Sequence, residues 1–468
     1  MPRSIFFKAG WTHPALPPLP PPLPLQHTVN PNSPTDRPRF SPFPRSLRRR
    51  LWSLLLGILL LGLVGCQGNA PADSDGVVHI TLWQGMGPPP NRDFFQTLVQ
   101  DFNDSHPDIQ VESLYVGHPD QQIPKILTAV VGNAAPDILW YSPNLTGQLV
   151  ELEALEPLDD WWADLPLRSQ IDPALLETMT FEDQLWSIPF GANNTAVYYR
   201  PSLFAQAGIT QLPTTWPELR EAAQALTQDT DGDGRADRHG IFLSLGKGEW
   251  NVFVWLPFVY SAGGWLEQDG VPDLVNGGAI AALDFAQTLV TDGSAVLSPP
   301  ERGFEIDNFL TGRAAMQITG PWTLGQMQGA GIDFDVFPLP ADQTSAAVLG
   351  GENFFLCKTT PEKRQAALTF FEYILSDGFQ LAWATQTGFL PVNLRVRQSD
   401  AYQAFLDENP LLQVFLDQMA GARSRPLIAK YPYLSENFGR AIEATLLGED
   451  PATALAQSQD RLELIWGK

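Results

Sequence analysis

Cysteine is nearly absent from these 468 residues: Cys66 and Cys357 are the whole supply. Two thiols cannot build a disulfide scaffold or a multi-cysteine zinc site. Histidine is scarce as well, and only His79, His106, His118 and His239 lie beyond residue 65, which leaves little material for triad or imidazole–metal chemistry. No G-x-S-x-G, H-E-x-x-H or Walker loop occurs, and the paired glycine-loop and acidic motifs of protein kinases are missing. Bases are outnumbered, with 29 Lys and Arg against 52 Asp and Glu, for a formal net charge of −23. Such a surface repels phosphate backbones and anionic lipid, which argues against a nucleic-acid partner. Outside one stretch near the N-terminus, no apolar run is long enough to cross a bilayer, and no internal repeat is visible.

That one stretch sets the address of the rest. Arg45-Ser46-Leu47-Arg48-Arg49-Arg50 precedes an apolar run from Leu51 to Val64 and then Gly65-Cys66. The run is short for a comfortable membrane span, and a basic cluster ahead of it is the pattern of an export signal. Leu63-Val64-Gly65-Cys66 resembles a bacterial lipobox. The resemblance implies diacylglycerol on Cys66, cleavage before it, and a mature chain of Cys66–Lys468, lipid-anchored on the periplasmic or extracellular side. Residues 1–44 carry 13 prolines, cannot pack a core, and precede the basic cluster by more than such a signal needs. Residues 1–65 hold eight bases and one acid, so their removal moves the net charge from −23 to −30. With Cys66 lipidated, no intrachain disulfide remains available.

After a polar tether over 66–76, strands and helices alternate. Val77–Trp83 alternates apolar and polar residues and predicts a strand; Phe94–Asn103 has apolar residues at helical spacing and stops at His106-Pro107. Ile109–Val116 predicts a second strand, Ile123–Val131 a helix, and 136–140 a third strand, completing a βαβαβ unit. Helices follow at Trp216–Thr227, Gly277–Thr291 and Glu362–Leu375, and Leu411–Ile465 is mainly helical. The fold class is α/β, an open sheet with ligand sites off its strand ends. Some 400 residues exceed one ordinary core and predict two domains.

Several segments together carry a family resemblance: His79-Ile80-Thr81-Leu82-Trp83-Gln84, Gly132-Asn133-Ala134-Ala135-Pro136-Asp137, Val197-Tyr198-Tyr199-Arg200-Pro201, and Thr214-Thr215-Trp216-Pro217-Glu218-Leu219. Gly263-Gly264, Gly320-Pro321-Trp322, Gly350-Gly351 and Thr387-Gly388-Phe389-Leu390-Pro391 continue it in order. The chain resembles the extracellular solute-binding proteins of the maltose, multiple-sugar and glycerol-3-phosphate cluster, the capture subunits of ABC importers. The resemblance implies a two-lobed, maltose-binding-protein-like fold of type II that closes on its ligand, with permease subunits and a cytoplasmic ATPase as partners. It places lobe one at 77–190 with 351–395, and lobe two at 191–350 with 396–468.

Aromatic residues at strand ends suit sugar rings, whose C–H faces stack on aromatic planes while their hydroxyls need fixed polar partners. Trp83, Trp140, Tyr141, Trp265 and Trp322 are candidates for the first task, and family positions make Gln84, Asn193, Asn194 and Glu352 candidates for the second. The alternative for any one tryptophan is ordinary core. Relatives that bind glycerol-3-phosphate use tyrosine, glutamate and tyrosine at positions that align with Pro119, Pro143 and Phe389, none of which repeats those hydrogen bonds. Arg425 is the evident cation for a phosphate, and an arginine here also suits a structural role. An uncharged sugar is therefore expected, with glycerol-3-phosphate or a glycosylglycerol as the alternative.

A second motif has sharper chemistry. Asp229, Asp231, Asp233 and Asp237, with Gly234 at loop position 6, match an EF-hand-like loop and predict a structural hard cation such as calcium. Position 12 is Gly240 rather than the usual glutamate, and a metal-free acidic turn is the plain alternative. No catalytic residue is expected. A secreted glycoside hydrolase or lectin stays as an alternative, since close acid pairs such as Glu151 and Glu153 abound in so acidic a chain.

Overall fold

The computed structural model describes residues 76–246, 248–299 and 307–467. The export segment, Cys66 and most of the tether lie outside the described residues.

The chain begins with the βαβαβ unit. Strand β1 (Val78–Gln84) is followed by helix α1 (Pro89–Ser105), strand β2 (Ile109–Tyr115), helix α2 (Pro119–Val131) and strand β3 (Ile138–Tyr141). β1 pairs in parallel with both β2 and β3. Helix α1 buries Phe95, Leu98, Val99 and Phe102 along one stripe. Each fully buried phenylalanine contributes roughly 2–3 kcal/mol. Strand β4 (Ser187–Pro189) ends this part, and the chain crosses to a second lobe.

There, β5 (Ala196–Tyr199), helix α3 (Trp216–Leu226), β6 (His239–Leu243), helix α4 (Glu249–Ser261) and helix α5 (Gly277–Thr291) follow. Strands β7 (Ala295–Leu297), β8 (Ala314–Thr319) and β9 (Asp335–Phe337) complete a second five-stranded sheet, ordered β7-β6-β8-β5-β9. The Thr-Trp-Pro-Glu sequence proves to be a capping box. Thr215 Oγ1 accepts from the Glu218 amide at 3.4 Å, and Glu218 Oε2 accepts from the Thr215 amide at 3.1 Å.

Strand β10 (Asn353–Leu356) then returns to the first sheet and lies between β3 and β4, antiparallel to both. Helices α6 (Pro361–Leu375) and α7 (Asp377–Thr387) cover that lobe. Asp137, ahead of β3, ties it to α6 by accepting from the Thr81 amide at 2.8 Å, Thr359 Oγ1 at 2.6 Å and Lys363 Nζ at 3.1 Å. Burial works to raise its pKa, but these bonds outweigh it and hold the carboxyl below its ordinary value. From residues 400–419, Tyr402 and Phe415 join the same buried cluster as Phe379 and Trp383 of α7, with Phe415 beside Tyr198. Helices α8 (Tyr431–Leu446) and α9 (Pro451–Trp466) finish the second lobe.

The crossings are narrow. Asn193 and Gly350 exchange backbone hydrogen bonds at 3.1 and 2.8 Å, and Ala192 and Leu390 do so at 3.0 and 2.9 Å. Gly351 sits at φ +123°, and a Cβ there would lie 2.0 Å from the Gly191 oxygen. Among the described residues no helix is long and apolar enough to cross a membrane.

Candidate functional site

A cavity of about 400 Å³ opens between the lobes at the crossings. Parallel strands β1 and β3 deliver their C-terminal loops to one edge of the first sheet, and that edge forms one wall. Gly85 makes the close approach possible, since a Cβ there would overlap the Gln122 side chain and lie 2.4 Å from the Gly117 oxygen. The opposite wall comes from α4 and from the turn after β8. At that turn a Cβ on Gly320 would occupy the indole of Trp322, at 2.0 Å, so glycine lets the ring fold back over its own backbone.

The walls are aromatic. Trp140 and Tyr141 at the end of β3 face Trp250 and Phe253 of α4, with Trp322 and Phe389 beside them. Trp250 and Trp322 meet edge to face with centroids 5.9 Å apart, and Trp322 and Phe389 lie 6.3 Å apart. Between these rings stand shielded polar atoms. Trp140 Nε1, Ser142 Oγ, Glu352 Oε2, Trp383 Nε1 and Arg425 Nε find no hydrogen-bond partner among the described residues.

Four charged groups line the cavity: Arg92, paired with Asp93 at 3.2 Å near the rim, and Glu249, Glu352 and Arg425 deeper in. Arg425 is buried, donates from Nη1 to Glu249 Oε1 at 2.8 Å, and lies 4.9 Å over the Phe253 ring. Burial disfavours its charge, but Glu249 outweighs that and raises its pKa. Glu352 is different. Burial pushes its carboxyl up to about 7, and the Arg425 charge only partly opposes the shift.

The structure brings Trp140, Tyr141, Asn193, Trp322, Glu352 and Arg425 together on the cavity wall. Four other sequence candidates are placed elsewhere, and the expectation that they face the cleft is corrected. Trp83 packs against the cluster that holds Ile126 and Leu139, with Lys125 Nζ 4.8 Å over its ring. Gln84 is fully buried and shapes the β1 loop by accepting the Met86 amide at 2.8 Å. Asn194 donates to the Phe415 oxygen at 2.9 Å and accepts from Gln418 at 2.8 Å, which anchors the hinge. Trp265 donates to Asp273 at 2.7 Å in a second-lobe turn. Neighbours in extended chain point to opposite sides, so Asn193 and Asn194 do not share the cleft. Sequence reasoning missed Glu249, Trp250 and Phe253, all on one helix without amphipathic period.

The Asp-rich loop lies between α3 and β6. Asp229, Asp231 and Asp237 each offer a carboxylate oxygen, all within 4.8 Å of one another, and all three are exposed. Asp229 accepts from the Gly232 and Gly234 amides at 2.7 and 2.8 Å, which folds the loop around the acids. Asp233 stands outside that group and accepts from the Arg235 amide at 2.8 Å. Gly240 is a strand residue pressed on α3, where a Cβ would lie 2.0 Å from the Ala223 oxygen, so position 12 supplies no ligand. Three converging carboxylates fit a hard cation that keeps part of its water.

Residues 97–411 match the family described as bacterial extracellular solute-binding protein. The chain is 23% identical over 432 residues to a putative binding protein of Brucella abortus, covering 90% of this chain and 99% of that one. It is 22% identical over 407 residues to the sn-glycerol-3-phosphate-binding periplasmic protein UgpB of Salmonella typhimurium, covering 82% and 92%. Among solved structures, an ABC transporter solute binding protein from Thermotoga lettingae, bound with alpha-D-tagatose, matches with TM-score 0.73 at 24% identity, covering 83% of this chain and 99% of that one. The maltotriose-bound maltose/maltodextrin-binding domain MalE of Bdellovibrio bacteriovorus matches with TM-score 0.73 at 23% identity, covering 84% and 100%. These structural matches speak to the fold, which is that of the maltose-binding-protein-like periplasmic binding proteins. With the family match spanning well over half of its length, the chain belongs to the bacterial extracellular solute-binding proteins.

Proposed function

We propose that the chain is the capture subunit of an ABC importer for an uncharged sugar or oligosaccharide, which it encloses between its lobes and hands to membrane permease subunits with a cytoplasmic ATPase. One observation carries the choice of cargo: aromatic planes alternate with shielded, unpartnered donors and acceptors on the same cavity wall. Sugars need both, flat faces for stacking and fixed partners for hydroxyls. Ligand contacts from two walls favour the closed state only by their differential affinity for it.

The charge arrangement argues against a phosphate. Arg425 is already matched to Glu249 and Arg92 to Asp93, and Glu352 adds a second acid to the wall. A phosphoester would need cations not already paired. Hydrolysis fits poorly too. Both Glu249 oxygens are already taken by donors from Asn144, Arg425, Tyr431 and Ser435.

Two further readings rest on sequence pattern, the second with three converging carboxylates beside it. A diacylglycerol on Cys66 would tether the exported chain to its membrane, as Leu63-Val64-Gly65-Cys66 suggests. A calcium or similar hard cation at Asp229, Asp231 and Asp237 would pin the second-lobe loop and take no part in capture.

The test is intrinsic tryptophan fluorescence and thermal shift against sugars, polyol glycosides and glycerol-3-phosphate. A stabilising response to one uncharged class, shifted to higher ligand concentration in Trp322→Ala, is the expected result. A response to glycerol-3-phosphate alone, lost in Arg425→Ala, would overturn the sugar reading.

A further inference from the structure

Glu249 opens helix α4 and gathers four donors. Its Oε1 accepts from Arg425 Nη1 at 2.8 Å, from the Tyr431 hydroxyl at 2.8 Å and from Asn144 Nδ2 at 3.0 Å, and its Oε2 accepts from Ser435. Arg425, Tyr431 and Ser435 belong to the second lobe, so they hold the carboxylate whether the lobes are together or apart. Asn144 belongs to the first lobe. It sits in the turn Pro143–Leu145 after β3 and is buried against the opposite wall. That donor reaches Glu249 only when the lobes meet.

We propose that Glu249 is a positioning residue that couples ligand capture to lobe closure, fixing Arg425 for the cargo and latching onto Asn144 across the cleft. The inference rests on the reading of the cavity as the capture site. Arg425 is clamped from two sides, by Glu249 on Nη1 and by the Phe253 ring 4.9 Å from its guanidinium carbon. Its Nε–H is left shielded and without a partner among the described residues, on the cavity wall. A ligand oxygen that accepts from Nε engages the guanidinium that holds Glu249 in place for Asn144. Occupancy and lobe contact thus share one carboxylate, and each stabilises the other. The latch also gives the closed form a contact that needs no ligand. It sets the closed fraction of the empty protein, and with it the share of intrinsic affinity lost to closing.

The test measures inter-lobe distance in the full exported chain without ligand. Spin labels are placed at Val131→Cys and Leu447→Cys, both exposed and one on each lobe, with Cys66→Ser so that position 66 carries neither lipid nor thiol. A hydrogen bond to a carboxylate is strong enough that Asn144→Ala should lower the closed-to-open ratio roughly ten-fold. Asn144→Asp sets two acids against each other and should lower it further. Glu249→Gln should lower it as well; should that variant fail to fold around an unmatched Arg425, the two Asn144 variants still decide. A ratio that stays within about two-fold of wild type in both Asn144 variants overturns the latch. Because no ligand is present, this outcome is independent of the cargo, and a silent sugar panel would count only against the reading of the site.

Discussion

The indole of Trp250, on the first turn of α4, stands edge to face against that of Trp322, with centroids 5.9 Å and planes 78° apart. The two rings come from different elements of the second lobe and form one corner of the cavity. A sugar stacked on Trp322 would be buttressed through Trp250. Trp322→Ala should therefore weaken capture by roughly ten- to a hundred-fold, and Trp250→Ala by a smaller factor. Titration of each variant with the sugar that stabilises the wild type checks the order.

Glu352 predicts a pH dependence with a definite sign. Its carboxyl is raised from an ordinary 4.5 to about 7. The folded chain thus keeps a proton that the unfolded chain releases, and stability falls as pH rises from 4.5 through about 7. Glu352→Gln removes that slope. The variant should gain up to about 3 kcal/mol over wild type at alkaline pH and much less in acid. Urea denaturation at pH near 5 and near 8 reads the difference; equal gains at both would contradict the assignment.

The crossing glycine gives a third expectation. Gly351 combines φ +123° with a backbone oxygen 2.0 Å from where a Cβ would lie. Gly351→Ala should cost at least about 2 kcal/mol, with the loss concentrated at the crossing. Gly378→Ala, in α7 with nothing near its Cβ position, is the control and should be neutral or mildly stabilising in thermal melts.

Calcium gives the fourth. If Asp229, Asp231 and Asp237 bind it, calcium at a hundred-fold excess over its Kd stabilises the fold by about 2.7 kcal/mol. Asp229→Ala should abolish the shift. Asp233→Ala, outside the converging group, should retain most of it. An equal loss in both variants would mean that the loop binds through a different set.

Much of the fold was legible because its signals are periodic. The alternation of β1 and the stripe of Phe95, Leu98, Val99 and Phe102 on α1 can be read directly from residue order. Helix α4 could not be read that way. Every residue from Asn251 to Ser261 is buried, Pro257 sits inside, and no polar face marks a period. That helix carries Glu249, Trp250 and Phe253, so one wall of the cavity was hidden with it. The misplaced candidates have another cause. Gln84 and Asn194 each adjoin a residue that lines the cavity, Gly85 and Asn193, and which neighbour faces inward is settled by parity and loop packing rather than residue type.

The position of β10 carries a consequence for how the molecule comes into being. It lies between β3 and β4, so the first sheet stays divided until a segment from far down the chain arrives. The second lobe waits as well, since Leu434, Phe438, Leu455 and Leu462 from the last two helices fill its core. Contacts this remote in sequence form slowly. Neither half can therefore close before residues from Asn353 onward have joined it, and a chain held short of that point stays slack in both lobes.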